Sequence, residues 1–536
     1  MENIFPVRII DEHGVDNADN LLKTKVLQIG LNEKDLAVFH SGSHIILDFG
    51  KELSGSLRFL SYTTEGSGNI RVRLGESVSE VCHDIGERNA TNDHSTRDWN
   101  FFVPNFSDQL FMNSGFRFAR IDVSDDTTLQ VKSVVCQSDV YGKPFDGSFK
   151  CDDELVNEIF DTAAYTLRLC IHNDMIWDGV KRDRLVWIGD IHPEQMTSDC
   201  LFSDTTFIKN SIKFVKDQTE LPGWINRMPT YSLWWVINLR DYYFRTGDKE
   251  FVKEMRDYLV GVTHQIANYV TDDGKTTLDS NFVDWPTHPQ SESETVKAAD
   301  EYAGVHALFI WCFKCAKELF EVLGEDAEVA VTSLVKLSKI SYDVKKFKQI
   351  SALRLMVGIG NEKDVNLILD GGAKGLSTFM SYYLFKSISE KGHGKEALEM
   401  MKEYYGKMLY LGATTFWEDF DVSWAENAGR IDEIPTADKK DVHADYGAFC
   451  YKGLRHSFCH GWSSGVIPFI MRHIVGVTEV GTGGEELIVK PDLCGLKKIE
   501  AVYPTVKGKV KITAEAKGGK TETKVEAPKE IKVKIL

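Results

Sequence analysis

Residues 151–170 read CDDELVNEIFDTAAYTLRLC. Val156, Ile159, Phe160, Ala163, Leu167 and Cys170 recur at steps of three and four, which makes one face of a helix apolar, and Asp152 stands where a cap belongs. Here the chain changes character. Downstream, helical patterns follow at 191–216, 231–247, 249–271, 296–323, 325–343, 346–357, 373–391, 394–409 and 459–475, separated by loops carrying Gly, Pro, Asp and Trp. Helix–loop pairs continued over about 320 residues, with no solenoid-type repeat, fit a toroid of about twelve helices better than a bundle.

Upstream, short runs such as HIILDF, SLRFLSY, IRVRLGE, FRFARIDV and LQVKSVV are separated by Gly, Ser, Asn and Asp turns, the pattern of a β-sandwich. After about residue 477 strands return. Val510, Ile512 and Ala514 alternate, Gly518-Gly519 turns, and Ile531, Val533 and Ile535 alternate again. The expected fold is mainly α with flanking β: an N-terminal β-sandwich over 1–148, an (α/α)6-barrel over 149–476 and a small C-terminal β domain over 477–536.

Charge narrows the choice of partner. With 63 Lys and Arg against 80 Asp and Glu, the net charge is −17. No basic stripe offsets it, so nucleic acid is excluded as a partner. No run reaches the ~20 apolar residues of a membrane span. The start, MENIFPVRII, has no basic n-region or apolar h-region, and the ten cysteines are scattered, with only Cys312 and Cys315 in a C-x-x-C on a helical run. Buried free thiols and a cytoplasmic location are the expectation, and a homodimer is compatible with it.

No Gly-x-Ser-x-Gly elbow, Walker A loop, His-Glu-x-x-His or dinucleotide fingerprint is present. The helical region instead offers acids beside tryptophans, and paired carboxylates flanking a bond are the equipment of glycoside hydrolysis. Residues 173–195, NDMIWDGVKRDRLVWIGDIHPEQ, gather Asp178, Asp183, Asp190, Arg182, Arg184, Trp177 and Trp187, interrupted by Gly179 and Gly189. Alternating acids and arginines usually form a solvated helix face; the tryptophans and glycines suit a cleft loop better. Residues 411–424, LGATTFWEDFDVSW, place Glu418 after Trp417, and Thr414 and Thr415 leave open a capped helix start instead. His460 and Trp462 lie in HSFCHGWSSGVIPFI (456–470), and Asp284 and Trp285 precede Pro286 in SNFVDWP (280–286).

At these segments the chain resembles glycoside hydrolase family 78, the α-L-rhamnosidases. DRLVWIGD, Asp183 to Asp190, is similar to that family's Glu-Arg-Leu-Gly-Trp-x-Gly-Asp pattern, and Gly412 to Glu418 matches Gly-Ala-Thr-Thr-x-Trp-Glu in full. ILDFGKELSGSLRF, VRLGESVSE and VYPTVKGKVKI extend the resemblance to both β regions. It implies removal of terminal α-L-rhamnose from a rhamnose-containing glycoside or oligosaccharide, with inversion and with no cofactor or metal. It further implies Asp183 as general acid and Glu418 as general base. Asp178, Arg182 and Asp190 would bind the sugar, and Trp187, Asp284, Trp285, Trp417, His460 and Trp462 would line its pocket.

One departure stands out: the family has Glu where this chain has Asp183. Aspartate is one methylene shorter, a displacement on the order of an ångström that costs roughly two orders of magnitude in rate unless the backbone compensates. Two competing readings follow, a catalytically silent glycan-binding homologue and another α-toroid hydrolase of the glucoamylase or unsaturated uronyl hydrolase kind. Further expectations are that Asp183 and Glu418 converge ~6.5–9.5 Å apart, and that Glu418→Gln abolishes turnover with stability nearly intact.

Overall fold

Asp153, not Asp152, caps the first helix: its carboxylate accepts the amides of Leu155 and Val156 at 3.0 and 3.3 Å. Asp152 points the other way and accepts the backbone amides of Lys497 and Lys498. Adjacent aspartates thus serve different partners, one starting the helical region and one tying it to the chain's last sheet. The structure is a computed structural model that describes residues 2–291 and 293–536.

The main helices of the barrel are α1 (Glu154–Leu169), α2 (Ile191–Leu201), α3 (Thr206–Asp217), α4 (Pro229–Thr246), α5 (Arg256–Ala267), α6 (Thr295–Leu323), α7 (Glu328–Leu337), α8 (Lys348–Met356), α9 (Glu362–Leu369), α10 (Ser381–Ser389), α11 (Gly394–Tyr410) and α12 (Val466–Phe469), which runs on through Ile474. Even-numbered helices pack in a closed ring, α2 on α4, α4 on α6, α6 on α8, α8 on α10, α10 on α12 and α12 back on α2. Odd-numbered helices pack outside them, which is the (α/α)6-barrel. The sequence explains the two layers. α2 is buried along its whole length, whereas α3 buries only Phe207, Ile208, Ser211, Ile212 and Val215, one face at helical spacing. Among the described residues no helix is long and apolar enough to cross a membrane.

Four local expectations are corrected. The run 191–216 is two helices, parted at Phe202–Thr205. α9 was not expected; it starts with a capping box in which Asn361 and Asp364 satisfy each other's amides. Residues 373–380 are turns rather than helix, following Gly371, Gly372 and Gly375, all at positive φ. Nor does 414–421 start a helix: Thr414 Oγ1 accepts the Glu52 amide at 2.9 Å and Thr415 donates to the Phe458 carbonyl.

The N-terminal sheet is antiparallel, built from β1 (Glu2–Ile4), β2 (Arg8–Asp16), β3 (Ala37–Gly66), β4 (Asn69–Gly75), β5 (Asp98–Phe102), β6 (Asp108–Val123) and β7 (Thr127–Ser138). β3 is long enough to fold over. Its first residues and its last residues both pair with β7, around Leu129 and Val131, so the sheet rolls onto its own apolar core. β8 (Ser148–Cys151) then leaves this domain and joins a C-terminal sheet with β11 (Lys498–Thr505), β12 (Gly508–Lys517) and β13 (Lys520–Glu526). β9 (Val477–Val480), β10 (Glu486–Val489) and β14 (Lys532–Ile535) form a second small sheet.

The rolled sheet touches the barrel at Gly115 in β6, whose amide donates to the Val180 carbonyl at 2.8 Å. A Cβ there would lie 2.4 Å from Val180 Cγ2 and 2.8 Å from the Lys181 nitrogen. Gly115→Ala is expected to destabilise by about 1–3 kcal/mol through overpacking, seen as a lower melting temperature. Gly142→Ala, with nothing within 4 Å, should leave melting unchanged. Equal melting of the two variants would show that this contact is slack.

Candidate active site

The N-terminal ends of the inner helices converge on one mouth of the barrel. α2 begins directly after Asp190, α4 two residues before Tyr231, and α12 just after the turn carrying His460 and Trp462. These ends present partial positive charge, which favours nearby carboxylates. A pocket of about 380 Å³ opens there, lined by Asp178, Arg182, Asp183, Trp187, Asp190, Met228, Tyr231, Phe282, Trp285, Glu418, Cys450, His460 and Trp462.

At its centre the Arg182 guanidinium bridges two carboxylates far apart in sequence. Nη1 meets Asp183 Oδ1 at 2.7 Å, and Nη2 bonds Glu418 Oε1. Arg182 and Glu418 are buried, Asp183 less so. Burial opposes the charge on Arg182, but Glu418 and Asp183 outweigh it and raise its pKa. Glu418 is immobilised on every side. Its amide donates to the Ser457 carbonyl at 2.9 Å, its carbonyl accepts Thr378 Oγ1 and Trp462 Nε1, and its Oε2 accepts the Ser457 amide. Asp183 sits in left-handed backbone at φ 56°, and Trp187 Nε1 donates to its Oδ2 at 3.2 Å.

Two further acids lie deeper. Asp178 Oδ1 accepts the Leu185 amide at 2.9 Å, and Tyr231 donates its phenol to Asp190 Oδ1 at 2.8 Å. Burial first, then the charges of Asp183 and Asp190, raises Asp178 well above the usual carboxylate range. Burial also raises Asp190, against the pull of Tyr231. His460 Nε2 lies 3.7 Å from Asp178 and 4.0 Å from Asp190; burial and the Arg182 charge hold this imidazole neutral, well below its ordinary value. The pocket floor therefore offers hydrogen-bond donors and acceptors with raised-pKa carboxyls among them, the equipment for hydroxyl groups. Trp187, Trp285 and Trp462 supply apolar faces, with Trp285 stacked on Phe449 and Trp462 on Phe379.

Nine of the residues expected from sequence line this pocket; Asp284 and Trp417 do not. Trp417 is fully buried behind Glu418, stacked on Phe458 at 4.1 Å. Asp284 lies behind Trp285 and accepts the Ser377 hydroxyl at 2.5 Å. Met228, Tyr231, Phe282 and Cys450 line the pocket without having been expected, and nothing in the sequence separates them from core residues. Burial lifts the Cys450 thiol to about 12, so it stays protonated.

A buried trio of Glu76, Glu80 and His443 has the spacing of metal ligands. A cation is already provided: Lys181 Nζ lies 2.9 Å from Glu76 and 3.3 Å from Glu80. Both His443 nitrogens are engaged as well, one by Ser77 and one by the His456 carbonyl.

The site is thus a pair of carboxylates held at the N-terminal mouth of a two-layered ring of helices. Residues 144–333 match the family model described as the bacterial alpha-L-rhamnosidase 6 hairpin glycosidase domain, and the resemblance to glycoside hydrolase family 78 holds. The fold superposes on the family 78 rhamnosidase of Bacillus sp. GL1 with a TM-score of 0.76 at 19% identity, covering 96% of this chain and 55% of that one. Streptomyces avermitilis α-L-rhamnosidase complexed with L-rhamnose gives 0.69 at 14% identity, covering 100% and 50%. The Klebsiella oxytoca rhamnosidase with rhamnose bound gives 0.67 at 18%, covering 88% and 95%. The chain thus spans about half the length of the first two and nearly all of the third. No curated protein matches it.

Asp284 provides a pH test of the wall behind the pocket. Burial raises its pKa to about 7, against the hydrogen bond from Ser377. An acid whose folded pKa is raised contributes stability that is lost as pH rises through that value. Asp284→Asn should therefore shrink the loss of melting temperature between pH 5 and pH 8, by up to about 3 kcal/mol in free energy. The same pH dependence in both proteins would rule out a neutral Asp284.

Proposed function

We propose that the protein is an inverting α-L-rhamnosidase that releases terminal α-L-rhamnose from glycosides or oligosaccharides. The observation that carries this reading is the Arg182 bridge, which brings Asp183 and Glu418 into one tryptophan-walled pocket while keeping their carboxylates apart. Asp183, the more exposed of the two, protonates the departing glycosidic oxygen, and buried Glu418 takes a proton from the water that attacks the anomeric carbon from the opposite face. The floor of Asp178, Asp190 and His460 receives the sugar hydroxyls. Met228 and Phe282 suit the methyl group by which a 6-deoxy sugar differs from a hexose.

The pocket chemistry weighs against a uronate substrate. Arg182, the one cation among the lining residues, is committed to two carboxylates. Arg184 is turned away onto Asn113 and over the Trp177 ring. A silent binder would have little use for a fully anchored Glu418.

Glu418→Gln should lower turnover of an aryl α-L-rhamnoside by at least a hundredfold, because an amide cannot accept the proton. The expectation of unchanged stability is revised. Removing one charge of a buried pair is costly, so this variant should also melt at lower temperature. Loss below about tenfold would remove Glu418 as base. Retained anomeric configuration in the first product, followed by NMR, would overturn inversion.

A further inference from the structure

Asp183 and its neighbour Arg184 both adopt left-handed backbone, at φ 56°. Such conformations are strained for a non-glycine residue and persist only where surrounding structure enforces them. Arg184 is held through its guanidinium, which bonds the Asn113 carbonyl at 3.0 Å and the Asn113 side chain at 2.6 Å. Asp183 is held by a residue of the N-terminal β domain. The His94 ring accepts the Asp183 backbone amide on Nδ1 at 2.9 Å, and the same nitrogen lies 3.0 Å from Asp183 Oδ1.

An Nδ1 that accepts leaves the ring proton on Nε2, and Nε2 faces Asp93 Oδ1 at 3.5 Å. Asp93 is in turn clamped by the Arg455 guanidinium, at 2.5 and 2.9 Å. Arg455 also bonds the carbonyl of Cys450, whose side chain lines the pocket. His94 is itself left-handed, at φ 65°. The barrel's acid-bearing turn and a β-domain loop are thus two strained segments joined at one imidazole.

We propose that His94 is a positioning residue for the acid: its Nδ1 anchors the Asp183 amide and so aims the short aspartate carboxyl at the leaving-group oxygen. This rests on reading Asp183 as the general acid. The turn supplies what the side chain lacks, since a backbone rotated into the left-handed region directs Cβ differently from the extended conformation that a longer glutamate could tolerate. The N-terminal β domain therefore supplies part of the catalytic apparatus.

The test uses the full chain with His94→Ala, His94→Asn and His94→Gln, assayed on an alkyl α-L-rhamnoside and on a dinitrophenyl α-L-rhamnoside. The dinitrophenolate departs without protonation, so a misplaced acid harms the alkyl substrate selectively. His94→Ala should lose about thirtyfold or more in kcat on the alkyl substrate and less than about threefold on the dinitrophenyl one. Asn, whose Oδ1 can stand in for Nδ1, should recover most of that loss, whereas Gln should not. Equal losses on the two substrates, no loss, or equal recovery by Gln would overturn the proposal. Hydrogen exchange of the peptide spanning 179–186 decides the anchor independently of turnover: faster exchange in Ala than in wild type or Asn is expected, and unchanged exchange overturns it. A wild type that hydrolyses neither rhamnoside would refute the proposed function, and the exchange result would still stand for or against the anchor.

Discussion

One buried ammonium holds the two halves of the molecule in register. Lys181 Nζ lies among the carboxylates of Glu76 and Glu80 and the carbonyls of Leu454 and His456. A charge so deep is tolerable only with partners on all sides, and removing one of them typically costs 3–5 kcal/mol. The partners come from two segments distant in sequence. The glutamates come from the β domain, the carbonyls from the loop leading to His460, and the lysine itself precedes Arg182. Burial raises Glu76 to about 7, with Lys181 pulling it back. Glu76 also accepts the Phe458 amide at 2.6 Å, so the loop behind Glu418 is tied to the same cluster.

From this cluster outward, the site is arranged by charge. Lys181 neutralises the acids at the domain contact, and Arg182, one residue on, neutralises the acids of the pocket. Neighbouring residues in an extended turn face opposite ways, so two consecutive cations serve two separate acid clusters. Asp178 and Asp190 receive no cation of their own, and burial raises the pKa of both well above the usual carboxylate range. One small cavity thus holds an arginine-bridged carboxylate pair beside two deeper acids without such a bridge.

The barrel was legible because its signal is periodic. Outer helices such as α3 show one apolar face, and the long helical runs have no competing explanation. Where periodicity is short the reading failed: α9 is eight residues long, and its capping box, Asn361 with Asp364, was the only mark it left. The acids and most of the pocket tryptophans were legible because two stretches match a known family. Trp417 and Asp284 were misplaced because adjacency in sequence to Glu418 and Trp285 says nothing about direction in a loop. His94 left no trace at all, since its role depends on a contact between residues 89 positions apart.

The strand β8 has a partner that does not yet exist when it is made. Its four residues pair with Val502, Ala501, Glu500 and Ile499 in β11, about 350 positions later. At the ribosome's pace of ~5–20 residues per second, that wait is roughly twenty to seventy seconds. Throughout it, Phe149 and the edge amides of β8 stand open while the whole barrel is synthesised. That sheet therefore works as a latch, closed only once the strand that follows the barrel has emerged, and a nascent chain stalled before it presents a bare edge to chaperones or to its neighbours.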